Sequence, residues 1–239
     1  MVDYVRAVKK PFTDITKLIV GVLLSMIPVV NWIAKGFILE NSGLGKSKPS
    51  NKMPEWKNWG NLFVKGFLST IITLIYALPA LILLIYVIST ALLSVLSISS
   101  IMGIVPSDFF ENLLVLLGQS PEVIMQSFEH YLPLFMPTLI ALTPALLIVF
   151  ALALLALYVS PIAILTYIKT KKISSAFNLG LVFKKAFTLR YFILWIVTTI
   201  ITGAITSVLV LIPFIGNATS YFIAGIIAFD LYGQIYNKI

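Results

Sequence analysis

The most informative absence in this sequence is that of basic residues from its middle. Between Gly66 and Ile168 there is no lysine or arginine, and all 17 basic residues lie outside that stretch. The stretch holds acids between two long apolar runs: Asp108, Glu111, Glu122 and Glu129. Basic residues of membrane proteins collect in cytoplasmic loops. The asymmetry therefore predicts a multi-span protein of the cell membrane, with this middle loop outside and both termini in the cytoplasm.

Cysteine is absent, and histidine occurs once. Disulfides, thiolate metal sites and cysteine nucleophiles are therefore excluded, and one histidine cannot complete a typical transition-metal site. The sequence also places no pair of carboxylates, and no Ser-His-Asp set, at the same depth in the membrane. We therefore expect a protein that is not an enzyme and that has no cofactor.

Polar residues are too scarce to cover a soluble globule. Of 239 residues, 59% are hydrophobic and 11% are charged, and the mean hydropathy is +1.03. A lipid-facing exterior resolves this shortage. We predict an all-α polytopic transmembrane helical bundle with amphipathic interfacial helices, forming one integral membrane domain over residues 1–239. The net charge is +8, and the basic residues lie beside the apolar runs. This position favours anionic lipid headgroups over nucleic acid as partners.

The apolar runs predict four long spans, at residues 66–97, 132–168, 191–211 and 219–237. We expect the first to be tilted or kinked at Pro79 and the second to be broken at its prolines. Residues 98–131 are expected to form two short helices outside. Asp108 would cap the first of these, and Ser120 and Pro121 would open the second.

The amino-terminal region has two alternative interpretations. Residues 1–17 are typical of an interfacial segment, because bases alternate with apolar side chains. Residues 18–41 form either one short span or a helical hairpin that turns at Pro28. Basic residues flank both ends of this run, which favours the hairpin. A second Ile-Pro pair, Ile212 and Pro213, also stands between two apolar arms, and Asn217 follows it as Asn31 follows Pro28.

Two segments on the inner side resemble one another. Residues 59–67 and 179–187 both combine aromatic residues with lysines, as interfacial helices do, and both precede a span. We expect such helices in the cytoplasmic segments 42–65 and 169–190. An internal repeat and chance similarity both remain open. The expected contacts with lipid headgroups are Lys57, Lys65, Lys184, Lys185, Trp56 and Trp59.

A few polar residues are candidates for function. Asp230 is the one acid expected within a span, where an ionised group needs a partner or water. Lys35 or Lys65 would be that partner, and the alternative to a functional role is a structural ion pair. Gln234, Asn31 and Asn217 are the other candidates. Broken helices and Asp230 suggest a permeation or transport element that forms a homo-oligomer. The alternative is a lipid-binding or membrane-organising scaffold without a transport path.

Three stretches carry a resemblance to a known family. They are residues 54–66, which begin with Pro54, Glu55 and Trp56, residues 231–236, and residues 23–31. In these stretches the chain resembles the membrane family catalogued as domain of unknown function 4013, which is common in archaea. The resemblance implies a helical, multi-pass membrane protein. It implies no activity and assigns no catalytic residue.

Overall fold

The structure, a computed structural model, describes residues 2–44, 51–101 and 120–239, together with Val115 and Gly118. Within these residues the chain forms eight α-helices and no β-strand, which confirms the predicted all-α fold. The helices are α1 (Tyr4–Lys9), α2 (Ile15–Met26), α3 (Asn31–Glu40), α4 (Trp59–Ile101), α5 (Pro121–Thr170), α6 (Leu179–Ala186), α7 (Leu189–Leu209) and α8 (Gly216–Tyr236). Short 3₁₀ helices follow α1, at Lys10–Thr13, and α5, at Ile173–Phe177.

Three helices are long and apolar enough to cross a membrane, and the chain is therefore a membrane protein. These segments are Trp59–Ser94 in α4, Met136–Thr170 in α5, and Leu189–Leu209, which is α7. The predicted fourth span corresponds to α8, which is not among them. Helix α8 has 21 residues, but Asn217, Asp230 and Gln234 lower its hydropathy, and more than half of its residues are buried.

Helices α4 and α5 are longer than the sequence predicted, and α5 is continuous. Helix α4 has 43 residues and continues through Pro79. Helix α5 has 50 residues, and the breaks that we expected in it do not occur. Membrane helices tolerate proline where neighbouring groups satisfy the freed carbonyls, so proline alone is a weak signal of a break there.

Two of the expected short helices are parts of these long ones. Residues 59–65 form the first turns of α4, and the helix expected to open at Pro121 is the start of α5. The outer helix expected at Asp108 lies outside the described residues. Helix α6 is a separate helix, as predicted. The next helix begins after it, where the Thr188 hydroxyl oxygen caps α7 by accepting from the N–H of Tyr191.

The described chain divides into two compact units. Residues 77–155 form one, in which Val87 and Leu142 are buried. Residues 1–76 and 156–239 form the other, and α8 is its core helix. Helices α1, α2, α3 and α7 all pack against α8. The single domain predicted over the whole chain stays a prediction.

Residues 18–41 form the helical hairpin. Helices α2 and α3 pack against each other on either side of a turn at residues 27–30. Helix α3 in turn contacts the start of α4, backbone to backbone. A Cβ atom added at Gly36 would lie 1.9 Å from the carbonyl oxygen of Leu62, and one added at Gly66 would lie 1.8 Å from that of Trp32. Only glycine allows two helices to approach this closely.

Candidate functional site

Asp230 lies at the centre of a buried ion network on α8. Its side chain is 4% exposed, and that of Lys10, from the first 3₁₀ helix, is 3% exposed. The Lys10 ammonium donates to Asp230 Oδ1 at 2.5 Å, and the Arg6 guanidinium donates to Oδ2 at 3.3 Å. Buried charges persist only when they are paired and hydrogen-bonded. Asp230 is therefore held by two cations.

Gln234 completes this network one helical turn after Asp230. Its Nε2 donates to Asp230 Oδ2 at 2.8 Å and to the carbonyl oxygen of Asp3 at 3.3 Å. Its Oε1 accepts from the backbone N–H of Asp3 at 2.7 Å. The carboxamide thus links Asp3, which precedes α1, to the network. Both its nitrogen and its oxygen are hydrogen-bonded.

The partners predicted for Asp230 were the wrong lysines. Lys35 Nζ donates to Thr70 Oγ1 at 3.0 Å, and Lys65 Nζ pairs with Glu40 Oε1 at 2.8 Å. The sequence could not reveal the true pair, because Lys10 and Asp230 are separated by 220 positions and only the packing of the 3₁₀ helix on α8 joins them. The prediction that Asp230 faces the bundle interior is consistent with its burial.

Three lysine segments, at residues 7–12, 62–67 and 182–187, repeat one pattern. In each, the first and fifth residues are buried, the fourth is lysine, and the sixth is an exposed phenylalanine. The similarity of residues 59–67 to 179–187 therefore extends to burial at every position. The sequence prediction did not include the segment at residues 7–12, because Pro11 is atypical of a helix interior. The signal was present, since Lys-Lys-Pro-Phe-Thr at residues 9–13 resembles Lys-Lys-Ala-Phe-Thr at residues 184–188.

The lysine at the fourth position of each segment lies at the carboxyl end of a helix. Lys10 Nζ donates to the carbonyl oxygen of Asn41 at 3.0 Å, and Lys65 pairs with Glu40, so both meet the carboxyl end of α3. Lys185 Nζ donates to the carbonyl oxygen of Tyr236 at 3.0 Å, at the carboxyl end of α8. The last carbonyls of a helix are free and carry partial negative charge, which a lysine satisfies.

Two turns with the same local geometry connect α2 to α3 and α7 to α8. We call them the paired turns, residues 27–30 and 212–215. In each, the residue after proline has positive φ, 70° at Val29 and 65° at Phe214. Hydrogen bonds from Val30 N to Pro28 O, at 2.8 Å, and from Ile215 N to Pro213 O, at 2.7 Å, close equivalent γ-turns. This conformation is rare and strained for residues with a side chain.

An open pocket of about 340 Å³ is lined by Phe214 of the second turn and by Met26 and Asn31, the residues that flank the first turn. Asn31 and Asn217, which the sequence suggested as functional, both line it. Asp230 and Gln234, the other two candidates, do not line it and belong to the ion network. The structure thus brings the four candidate polar residues together in two pairs, at two separate places along α8.

The expected headgroup contacts lie in different environments. Lys57, Trp59 and Lys184 are exposed, whereas Lys65 is paired with Glu40. Trp56 is half-buried and stacks on Phe37 with 3.8 Å between ring centroids, so it packs within the protein. Lys185 is half-buried, and its ammonium lies 4.5 Å from the centre of the Tyr236 ring.

Positive charge accumulates around the carboxyl end of α8. Lys169 Nζ lies 5.4 Å from the Tyr236 ring centre and donates to Asn237 Oδ1 at 2.8 Å. Burial lowers the pKa of Lys185, and the nearby ammonium groups of Lys169 and Lys184 lower that pKa further. None of the ion pairs formed by described residues includes Lys169, Lys171, Lys172, Lys184, Lys185, Arg190 or Lys238. Like charges left this close create a surface that attracts anions.

The described residues offer little for metal binding. Among them, no group of three or more His, Cys, Asp or Glu side chains could hold a metal ion. Asp230 has no second carboxylate beside it in the network, and its oxygens accept from Lys10, Arg6 and Gln234. The basic residues around the carboxyl end of α8 can therefore contact anions. The pocket offers uncharged groups that can form hydrogen bonds.

Removing the charge of Asp230 should destabilise the protein strongly. Asp230→Asn leaves Lys10 buried without its counter-charge, so the free energy of unfolding should fall by about 3–5 kcal/mol. Thermal unfolding of the purified protein in detergent would measure this change. The double variant Lys10→Met/Asp230→Asn should lose less than the sum of the two single losses, because it removes both members of the pair.

A surface ion pair provides the matched control. Lys17 Nζ lies 2.7 Å from Glu55 Oε1, and the Glu55 side chain is 61% exposed. Glu55→Gln should therefore change the free energy of unfolding by no more than about 1 kcal/mol. Equal effects of Asp230→Asn and Glu55→Gln would contradict the stabilising role of the buried network.

Comparison with known proteins places the chain in a family. Neither the curated proteins nor the solved structures gave a match. The family model described as protein of unknown function (DUF4013) matches residues 19–215, which is most of the chain and includes the paired turns and α4 to α7. This match confirms the resemblance seen in the sequence, and the chain is accordingly a member of the DUF4013 family of proteins of unknown function.

Proposed function

We propose that this protein binds anionic lipid headgroups and organises lipid at one face of the membrane. The observation that carries the proposal is the accumulation, at the carboxyl end of α8, of cations that form no ion pair with another described residue. The surface formed by residues 169–190, which we call the basic surface, includes the exposed side chains of Lys171, Lys172 and Lys184. A basic cluster beside a membrane helix attracts anionic lipid, with about 1 kcal/mol for each lysine or arginine.

Exposed apolar side chains accompany the charges of the basic surface. Leu179 is 53% exposed, Phe187 is 64% exposed and Leu189 is 72% exposed. A helix that carries both kinds of side chain is suited to the boundary between headgroups and acyl chains. In the proposed arrangement, Phe187 and Leu189 enter the acyl region while Lys184 contacts phosphate.

The proposed orientation places the basic surface and both termini in the cytoplasm of the cell. The distribution of lysine and arginine supports it, because these residues flank the spans on one side and are absent between Gly66 and Ile168. Cytoplasmic leaflets are rich in anionic lipid, so this orientation would present the basic surface to its ligands.

Single cysteines in the cysteine-free chain would test the orientation. Ser174 and Ser120 are both exposed, the first on the basic surface and the second before α5. A membrane-impermeant maleimide should label Ser120→Cys in intact cells and Ser174→Cys only in inverted vesicles. The reverse pattern would place the basic surface outside and would contradict the proposed orientation.

Neutralising the basic surface should release anionic lipid. Lys172→Gln/Lys184→Gln removes two exposed charges, and the affinity for phosphatidylglycerol should fall by about fivefold for each lysine. Native mass spectrometry of the detergent-purified protein, titrated with phosphatidylglycerol, would measure the loss. Phosphatidylcholine of the same chain length should bind both proteins equally.

The control removes the same number of charges elsewhere. Lys17→Gln/Lys65→Gln neutralises two lysines that already pair with Glu55 and Glu40. This variant should keep its affinity for phosphatidylglycerol within about twofold, because those charges are compensated in the native protein. An equal loss in both double variants would mean that net charge alone governs lipid binding.

A permeation or transport element, acting as a homo-oligomer, is the second candidate. The observation that favours it is the pocket between the paired turns, since proline-interrupted apolar segments in corresponding positions are typical of transport sites. Proteoliposomes would then release entrapped potassium or glycerol faster than empty liposomes, and Asn217→Leu would slow that release. Equal release from empty and protein-containing liposomes would leave lipid binding as the function.

A further inference from the structure

We propose that the pocket between the paired turns binds the uncharged, hydroxyl-bearing or ester-bearing head of a neutral lipid. This site is separate from the basic surface and does not depend on the function proposed for it. Its volume of about 340 Å³ lies at the lower end of the range of small-molecule sites. Such a volume suits a compact head attached to a chain that extends out of the pocket.

The polar groups of the pocket are neutral hydrogen-bonding groups. Asn31 and Asn217 contribute carboxamides, and Tyr221 contributes a hydroxyl group. The Ser25 hydroxyl donates to the carbonyl oxygen of Gly21 at 2.7 Å, so its oxygen remains able to accept. Carboxamides and hydroxyls can both donate and accept, which matches the hydroxyl and ester groups of a glyceride or a lipid alcohol.

The chemistry of the lining argues against a charged ligand. The lining residues, which include Met26 and Phe214, carry no charge, so a phosphate would be desolvated there without a counter-ion. From Tyr191 to Phe229 the sequence contains no charged residue, and the turn at residues 212–215 lies in the middle of this stretch. Anionic lipids are therefore expected at the basic surface, and neutral lipids at the pocket.

Exposed apolar side chains lie on and beside the paired turns. Phe214 is 97% exposed and Leu211 is 80% exposed, and Val29 on the other turn is 55% exposed. Helix α2 has 12 residues, which gives a length of about 18 Å, too short to cross a hydrocarbon layer of about 30 Å. The turn after α2 would therefore meet lipid chains, so the ligand enters from the bilayer and must have an apolar part.

The backbone of the paired turns supplies an independent indication of function. Val29 and Phe214 both adopt positive φ, although a β-branched residue such as valine strongly disfavours it. Strain of this kind persists where the surroundings hold it, and it clusters at ligand sites and switch regions. Here it occurs twice, at equivalent positions: Phe214 lines the pocket, and Val29 lies in the turn between Met26 and Asn31, which line it.

Photocrosslinking in nanodiscs would test the site with the full chain. A diacylglycerol with a photoreactive group beside its glycerol should label peptides containing residues 25–31 and 214–221, and unlabelled diacylglycerol should compete. A phosphatidic acid with the same chains and photoreactive group should label these peptides about tenfold less. Equal labelling by the two probes would show contact with bulk lipid only and would overturn the proposal.

Variants of the polar groups make the test specific. Asn31→Leu/Asn217→Leu should lower labelling by about tenfold, because two hydrogen-bonding groups are lost. Tyr221→Phe removes one hydroxyl without changing the packing, and it should lower labelling by a smaller factor. If both variants were labelled like the native protein, the proposed recognition would be wrong.

Two controls separate this site from other effects. Asn61 is an exposed asparagine on α4 that does not line the pocket, so Asn61→Leu should be labelled like the native protein. Lys172→Gln/Lys184→Gln should also keep the labelling of the paired turns while losing phosphatidylglycerol. Loss of turn labelling in either control would overturn the assignment of the ligand to this pocket.

Discussion

The ion network at Asp230 is the constraint on which the arrangement of the compact unit formed by residues 1–76 and 156–239 depends. A carboxylate two turns from the end of a buried helix must be neutralised, and Lys10 and Arg6 supply that charge from the other end of the chain. The same Lys10 ammonium also satisfies the carboxyl end of α3. One buried cation therefore joins the amino-terminal segment, the hairpin and α8, because its charge is stable only when all three are in place.

The repeated lysine segments extend this principle. The last carbonyls of a helix have no partner within that helix, so other groups must satisfy them. Lys10 and Lys185 donate to such carbonyls at the ends of α3 and α8, and Lys65 pairs with the Glu40 side chain at the end of α3. All three segments have similar burial, and in each an exposed phenylalanine follows a buried proline, glycine or alanine. The same local packing arrangement therefore occurs three times. It also explains why aromatic and basic residues recur together in the sequence.

The two proposed sites differ in chemistry because of where each lies. The basic surface carries exposed lysines beside exposed leucine and phenylalanine, which suits an anionic headgroup at the membrane boundary. The pocket between the paired turns offers carboxamides and hydroxyls within an uncharged stretch, which suits a neutral polar group in an apolar setting. A protein with both could hold two kinds of lipid at once. Asp230, fully engaged by its partners, contributes stability to this arrangement.

The sequence by itself determined the all-α class, three of the apolar helices, and the hairpin as the favoured interpretation of residues 18–41, and it indicated Asp230, Asn31 and Asn217 as candidates whose function stays a prediction. Composition and hydrophobic run length are local properties, and they suffice for these. Only the tertiary structure decided that Lys10 and Arg6 pair with Asp230, that α4 and α5 continue through their prolines, and that Asn31 and Asn217 line one pocket. Those outcomes depend on contacts between residues far apart in the chain, which no local pattern of residues encodes.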